Sequence, residues 1–127
     1  MAEQYKVLLV DDDVDFVEAT KIVLESNDYE VVTAHNGKDG IAIAKKEKPD
    51  AIVLDVMMTH KTEGFDTARD LRNDEETKDI PIVMLTAVNQ EVPWKFAADS
   101  VWLPVDKFVE KPIQPDKLLD LLGEVIK

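Results

Sequence analysis

Four places in this chain put chemistry-bearing side chains directly after apolar runs. Asp11-Asp12-Asp13 follow Val7 to Val10, Asp55 follows Ile52 to Leu54, Thr86-Ala87 follow Ile82 to Leu85, and Lys111-Pro112 follow Phe108 to Glu110. Carboxylates brought within about 4 Å of one another repel by roughly 4 kcal/mol per pair at an effective dielectric near 20, unless a cation or proton intervenes. A hard divalent cation with oxygen ligands answers that need. Mg²⁺ suits it best, because it accepts a few carboxylates and keeps waters that a phosphate can replace. Lys111 alone is an incomplete counter-charge. Each residue also has a plainer explanation: helix capping for one or two of Asp11 to Asp13, a solvated loop for Asp55. The weight lies in their joint placement at the ends of successive apolar runs.

Those runs read as strands: Tyr5 to Val10, Glu30 to His35, Ala51 to Asp55, Ile80 to Thr86 and Asp106 to Glu110. The first, third and fourth are apolar at successive positions, the pattern of strands covered on both faces in a parallel sheet. Helical spacing separates them, clearest in Phe16, Ala19, Val23 and Leu24 and in Leu118, Leu121, Leu122, Val125 and Ile126. The segments Asn36 to Lys48 and Gly64 to Asp74 fill two further crossovers. Gly37 and Gly64 ease the strand-to-helix turns, and Pro115 suits a first helical turn. The fourth crossover, Val88 to Val105, carries Pro93 and Pro104 with Trp94, Phe96 and Trp102. Any helix there is short or irregular, and its aromatics are expected to cover the sheet.

Alternating strands and helices with right-handed crossovers give an α/β, doubly wound parallel sheet of five strands with helices on both faces. Ligands bind such sheets beyond the carboxyl ends of the strands, where the four sets of side chains fall.

Composition narrows the partners. The 127 residues, 14.3 kDa, suit one domain over 1–127, with 45% hydrophobic and 33% charged residues. Twenty-seven acidic residues against fifteen basic ones leave a net charge of −12, which repels nucleic acid. No apolar run reaches the length of a membrane span, and no export segment opens the chain, so a cytoplasmic protein is expected. The absence of cysteine removes thiol nucleophiles and thiolate metal sites.

Taken together, the runs Val7-Leu8-Leu9-Val10-Asp11-Asp12-Asp13, Ile52-Val53-Leu54-Asp55-Val56-Met57-Met58, Ile82-Val83-Met84-Leu85-Thr86-Ala87 and Phe108-Val109-Glu110-Lys111-Pro112 resemble the response-regulator receiver domain. Four motifs in order over nearly the whole chain make that resemblance specific. It implies the flavodoxin-like strand order 2-1-3-4-5 and a phospho-accepting role in two-component signalling, of the stand-alone single-domain type. Asp55 would take a phosphoryl group from a sensor histidine kinase or phosphotransfer protein. Asp12, Asp55 and the Met57 carbonyl would hold Mg²⁺, with Asp11 acting directly or through water, while Asp13 matches no required position. Thr86, the Ala87 amide and Lys111 would meet the phosphoryl oxygens, and Thr86 and Phe108 would form the switch toward an unidentified downstream protein. Such a domain is no enzyme toward outside substrates and catalyses only its own phosphorylation and dephosphorylation. Lys111-Pro112 would be cis by the same analogy.

The chain departs from the family pattern in three places. Thr59 stands where a proline is usual, the stretch to Gly64 is one residue longer, and the segment from Thr86 to Lys111 is longer too. Met57 and Val88 carry no group able to orient a water, so slow self-dephosphorylation is expected. His35 and His60 are expected at the surface. Two competing readings are a Mg²⁺-dependent phosphohydrolase with an aspartate nucleophile, and a receiver-like module that binds partners without phosphorylation.

Overall fold

The computed structural model describes residues 4–55, 63–87, 107–111 and 114–126. In chain order these form β1 (Lys6–Val10), α1 (Val14–Ser26), β2 (Glu30–Ala34), α2 (Gly37–Glu47), β3 (Ala51–Asp55), α3 (Glu63–Arg72), β4 (Ile82–Ala87), β5 (Lys107–Lys111) and α4 (Pro115–Ile126). All strand pairs are parallel, in the order β2-β1-β3-β4-β5. The architecture anticipated from the apolar runs is the one found. The segment expected to hold a short or irregular helix, Val88 to Val105, lies outside the described residues.

Two cores explain why the central strands are apolar at every position. Leu8, Val10, Ile52, Leu54, Ile82 and Met84 point to one side, where Ala44 of α2 and Ala68 and Leu71 of α3 cover them. Val7, Leu9, Ala51, Val53, Val83 and Leu85 point to the other, beneath Val17 and Leu24 of α1 and Leu118 and Leu122 of α4. Strand side chains alternate, so a strand covered on both faces has no polar positions to spare. Each fully buried leucine or isoleucine contributes about 1.5–3 kcal/mol by the area it removes from water.

Several local details differ from the sequence expectation. The buried stripe of α1 runs through Val17, Thr20 and Leu24, with Phe16 partly buried, whereas Ala19 faces solvent. One residue along a helix turns the side chain by about 100°, enough to take it off the stripe. β4 begins at Ile82 rather than Ile80, because Arg72 Nη1 donates to the carbonyls of Lys78 (2.9 Å) and Ile80 (2.6 Å) and holds that approach against α3. β2 ends one residue before His35, where Asn36 caps α2 by accepting from the Asp39 amide at 2.8 Å. β5 is shifted one residue, to Lys107–Lys111.

At the amino edge of the sheet the charges are paired. Lys6 Nζ lies 2.8 Å from Glu47 and 3.6 Å from Glu30, and its amide donates to Asp50 Oδ2 at 2.7 Å. Among the described residues no helix is long and apolar enough to cross a membrane.

Candidate functional site

The strand order reverses between β1 and β3: the chain leaves β1 toward β2, then returns across it to β3. A crevice opens at the carboxyl end of such a switch point because the loops on either side diverge. Asp11 is the first residue beyond β1 and Asp55 the last of β3, and the register Val10↔Leu54 continues to bring them side by side. One carboxylate oxygen each from Asp11, Asp12 and Asp55 lie within 4.8 Å of one another. Asp11 and Asp55 are only 2% and 5% exposed, while Asp12 is open to solvent. Two carboxylates thus line the floor and one stands at the mouth.

The acidic triplet divides its work. Asp13 accepts the Phe16 amide at 3.1 Å and caps α1, which accounts for the residue that the resemblance left without a role. Its own amide donates to Asp11 Oδ1 at 2.9 Å, so the cap and the site share one turn of chain. The Asp11 amide donates to the Ala34 carbonyl at 3.1 Å, and the Asp11 carbonyl lies 3.2 Å from His35 Nδ1. His35 is exposed as expected, yet it touches the backbone of the site. Nothing in the sequence signals that contact across twenty-four positions, since it depends on the β1–β2 register.

The other two strand ends reach the same edge. Asp55 pairs with Leu85, and the register goes on to Thr86↔Glu110 and Ala87↔Lys111. The backbones of Thr86, Ala87 and Lys111 therefore stand at or beyond the level of Asp55, and Phe108 lies deeper, opposite Met84. The side chains of Thr86, Ala87, Phe108 and Lys111 lie outside the described part of the structure. So do the whole of Met57, Thr59, His60, Val88 and Pro112.

At the outer limit of 4.8 Å, an ionised pair still repels by about 3.5 kcal/mol at an effective dielectric of 20. Burial of Asp11 and Asp55 limits how far water can screen them. The donor set fits a small hard cation. All three candidate donors are carboxylate oxygens, and an octahedral ion with oxygens at about 2.1 Å needs its ligand atoms roughly 3–4 Å apart, within the 4.8 Å bound on their separation.

Comparison with known proteins bears on this arrangement. The model of the response regulator receiver domain matches residues 7–123. Protein PilH of Pseudomonas aeruginosa is 32% identical over 124 residues, which cover 95% of this chain and 97% of PilH. The structure of the chemotaxis response regulator CheY4 of Vibrio cholerae superposes with a TM-score of 0.83 at 32% identity, covering 97% of this chain and 99% of that one. The receiver domain of the sensor histidine kinase PA1611 from P. aeruginosa shares the fold, with a TM-score of 0.84 at 22% identity over 98% of both chains, and has a magnesium ion coordinated in its active site cleft. The chain spans about half the length of several other curated relatives, such as the phosphate regulon transcriptional regulator PhoB of P. aeruginosa.

Proposed function

This chain belongs to the response-regulator receiver family, the phospho-accepting module of two-component signalling, and from that premise we propose that Asp55 is its phosphoryl acceptor. The observation that carries the assignment is the convergence of Asp11, Asp12 and Asp55 at the switch point between β1 and β3. Asp55 is the one of the three that ends a strand, paired with Leu85 in the ladder to β4 and directly following Leu54, which pairs with Val10 of β1, so its position is fixed by the sheet.

In the proposed reaction, a carboxylate oxygen of Asp55 bonds to phosphorus as the bond from phosphorus to its donor breaks, and an aspartyl phosphate results. The donor is a phosphohistidine on a sensor kinase or phosphotransfer protein, whose imidazole nitrogen keeps the electron pair of the broken bond. Asp12, Asp55 and the Met57 carbonyl would hold Mg²⁺, with Asp11 acting directly or through water. Bound there, Mg²⁺ would supply positive charge for the phosphoryl oxygens, the chief requirement of phosphoryl transfer. The Lys111 ammonium, the Thr86 hydroxyl and the Ala87 amide meet the same oxygens. Support for these three is their place on β4 and β5 at the carboxyl edge, together with the motif resemblance.

Phosphorylation biases an equilibrium only through contacts that differ between its two states. Thr86 and Phe108 are the residues proposed to make that difference, for a protein target downstream. The unit acts as one receiver domain over residues 1–127, in the cytoplasm. Its only catalysis is its own phosphorylation and dephosphorylation. The phosphohydrolase and constitutive-binding readings draw no support from the relatives.

Incubation with acetyl phosphate and Mg²⁺, followed by intact mass, tests the reading. The expected result is the gain of one phosphoryl group, dependent on Mg²⁺ and absent from Asp55→Asn. No gain in the wild-type chain, or an equal gain in the variant, would overturn it.

A further inference from the structure

We propose that His35 is a positioning residue for the acidic site, acting through the main chain of Asp11; the inference rests on the reading of Asp11, Asp12 and Asp55 as the Mg²⁺ ligands. His35 stands immediately beyond β2, as Asp11 stands immediately beyond β1, and its ring Nδ1 lies 3.2 Å from the Asp11 carbonyl oxygen. A carbonyl only accepts, so this bond requires the proton on Nδ1.

The bond matters because of where the ladder stops. The β1–β2 register ends at Val10↔Ala34, and Asn36 already serves as the cap of α2. The His35 ring therefore stands where a further ladder donor would have been. Asp11 is held on both sides by consecutive residues: its amide by the Ala34 carbonyl at 3.1 Å, its carbonyl by His35. That carbonyl belongs to the peptide joining Asp11 to Asp12. Fixing its plane fixes the direction in which two of the three carboxylates leave the chain, while the Asp13 amide holds Asp11 Oδ1 at 2.9 Å. Partners that orient metal ligands commonly change affinity 10–100-fold when lost. A solvent-exposed bond acting through the backbone belongs at or below the lower end of that range.

Calorimetric titration of Mg²⁺ into the wild-type chain, His35→Phe and His35→Asn provides the test, with the unfolding midpoint of each metal-free protein measured alongside. His35→Phe should bind Mg²⁺ about three- to tenfold more weakly with little change in midpoint. His35→Asn, whose amide nitrogen takes the place of Nδ1, should recover most of that loss. Nitrogen-15 NMR of the neutral ring should find the proton on Nδ1. Wild-type affinity in His35→Phe, equal weakening in both variants, or a ring protonated on Nε2 would overturn the positioning role and leave the metal site standing. A wild-type chain that binds no Mg²⁺ would overturn both.

Discussion

Gly40 of α2 meets Val10 of β1 so closely that a β-carbon added to the glycine would lie 2.9 Å from Val10 Cγ2 and 3.1 Å from Cγ1. The valine is β-branched and confined between two layers, so it has little room to rotate away. Val10 is also the residue before Asp11, which makes this contact part of the support beneath the acidic site.

Gly40→Ala should therefore destabilise the fold by about 1–3 kcal/mol, the usual effect of overpacking. Val10→Ala removes both methyls that the new β-carbon meets. In urea unfolding, the double variant should lose clearly less than the sum of the two single losses.

Crowded carboxylates predict opposite effects of charge removal with and without metal. In the metal-free protein, Asp12→Asn and Asp55→Asn should each raise stability, by about 1 kcal/mol once the exposure of Asp12 is allowed for. Mg²⁺ should stabilise the wild-type chain by about 2.7 kcal/mol at a hundred times its dissociation constant. Most of that gain should vanish in both variants. Thermal melts in chelator and in Mg²⁺ measure both effects.

At the opposite edge, the Lys6 ammonium beside Glu47 holds that carboxyl below its ordinary range, and Lys45 beside Asp74 does the same there, helped by the Glu76 amide. Groups with depressed folded-state values bind fewer protons folded than unfolded. Their contribution is complete above the ordinary carboxylate range and is lost as pH falls through the lower folded values. The partner lysines are raised, so their share is complete at neutral pH and is lost only on the alkaline side. Urea midpoints of the wild-type chain and a Glu47→Gln, Asp74→Asn double variant should differ at neutral pH and converge on acidification.

Gly123 lies inside α4 with nothing within 4 Å of a β-carbon built upon it. Gly123→Ala should stabilise the chain by about 0.5–1 kcal/mol, since alanine loses less backbone freedom on entering a helix. Equilibrium unfolding measures it directly. A loss of stability would mean that the helix end needs the glycine for something other than its own conformation.

The sequence alone determined the parallel sheet, its five strands and the carboxylates at their ends. Continuous apolar runs have one inexpensive solution, a strand covered on both faces, and strand ends then follow within a residue or two. It did not determine which turn of α1 is buried, that Gly40 packs directly against Val10, or that Asp13 is the residue of the triplet that caps α1. Nor did it give any sign that His35 reaches the backbone of Asp11. Those relations depend on the register between strands distant in sequence and on the rotation of each helix above the sheet. Both are set by packing against residues that no local pattern contains.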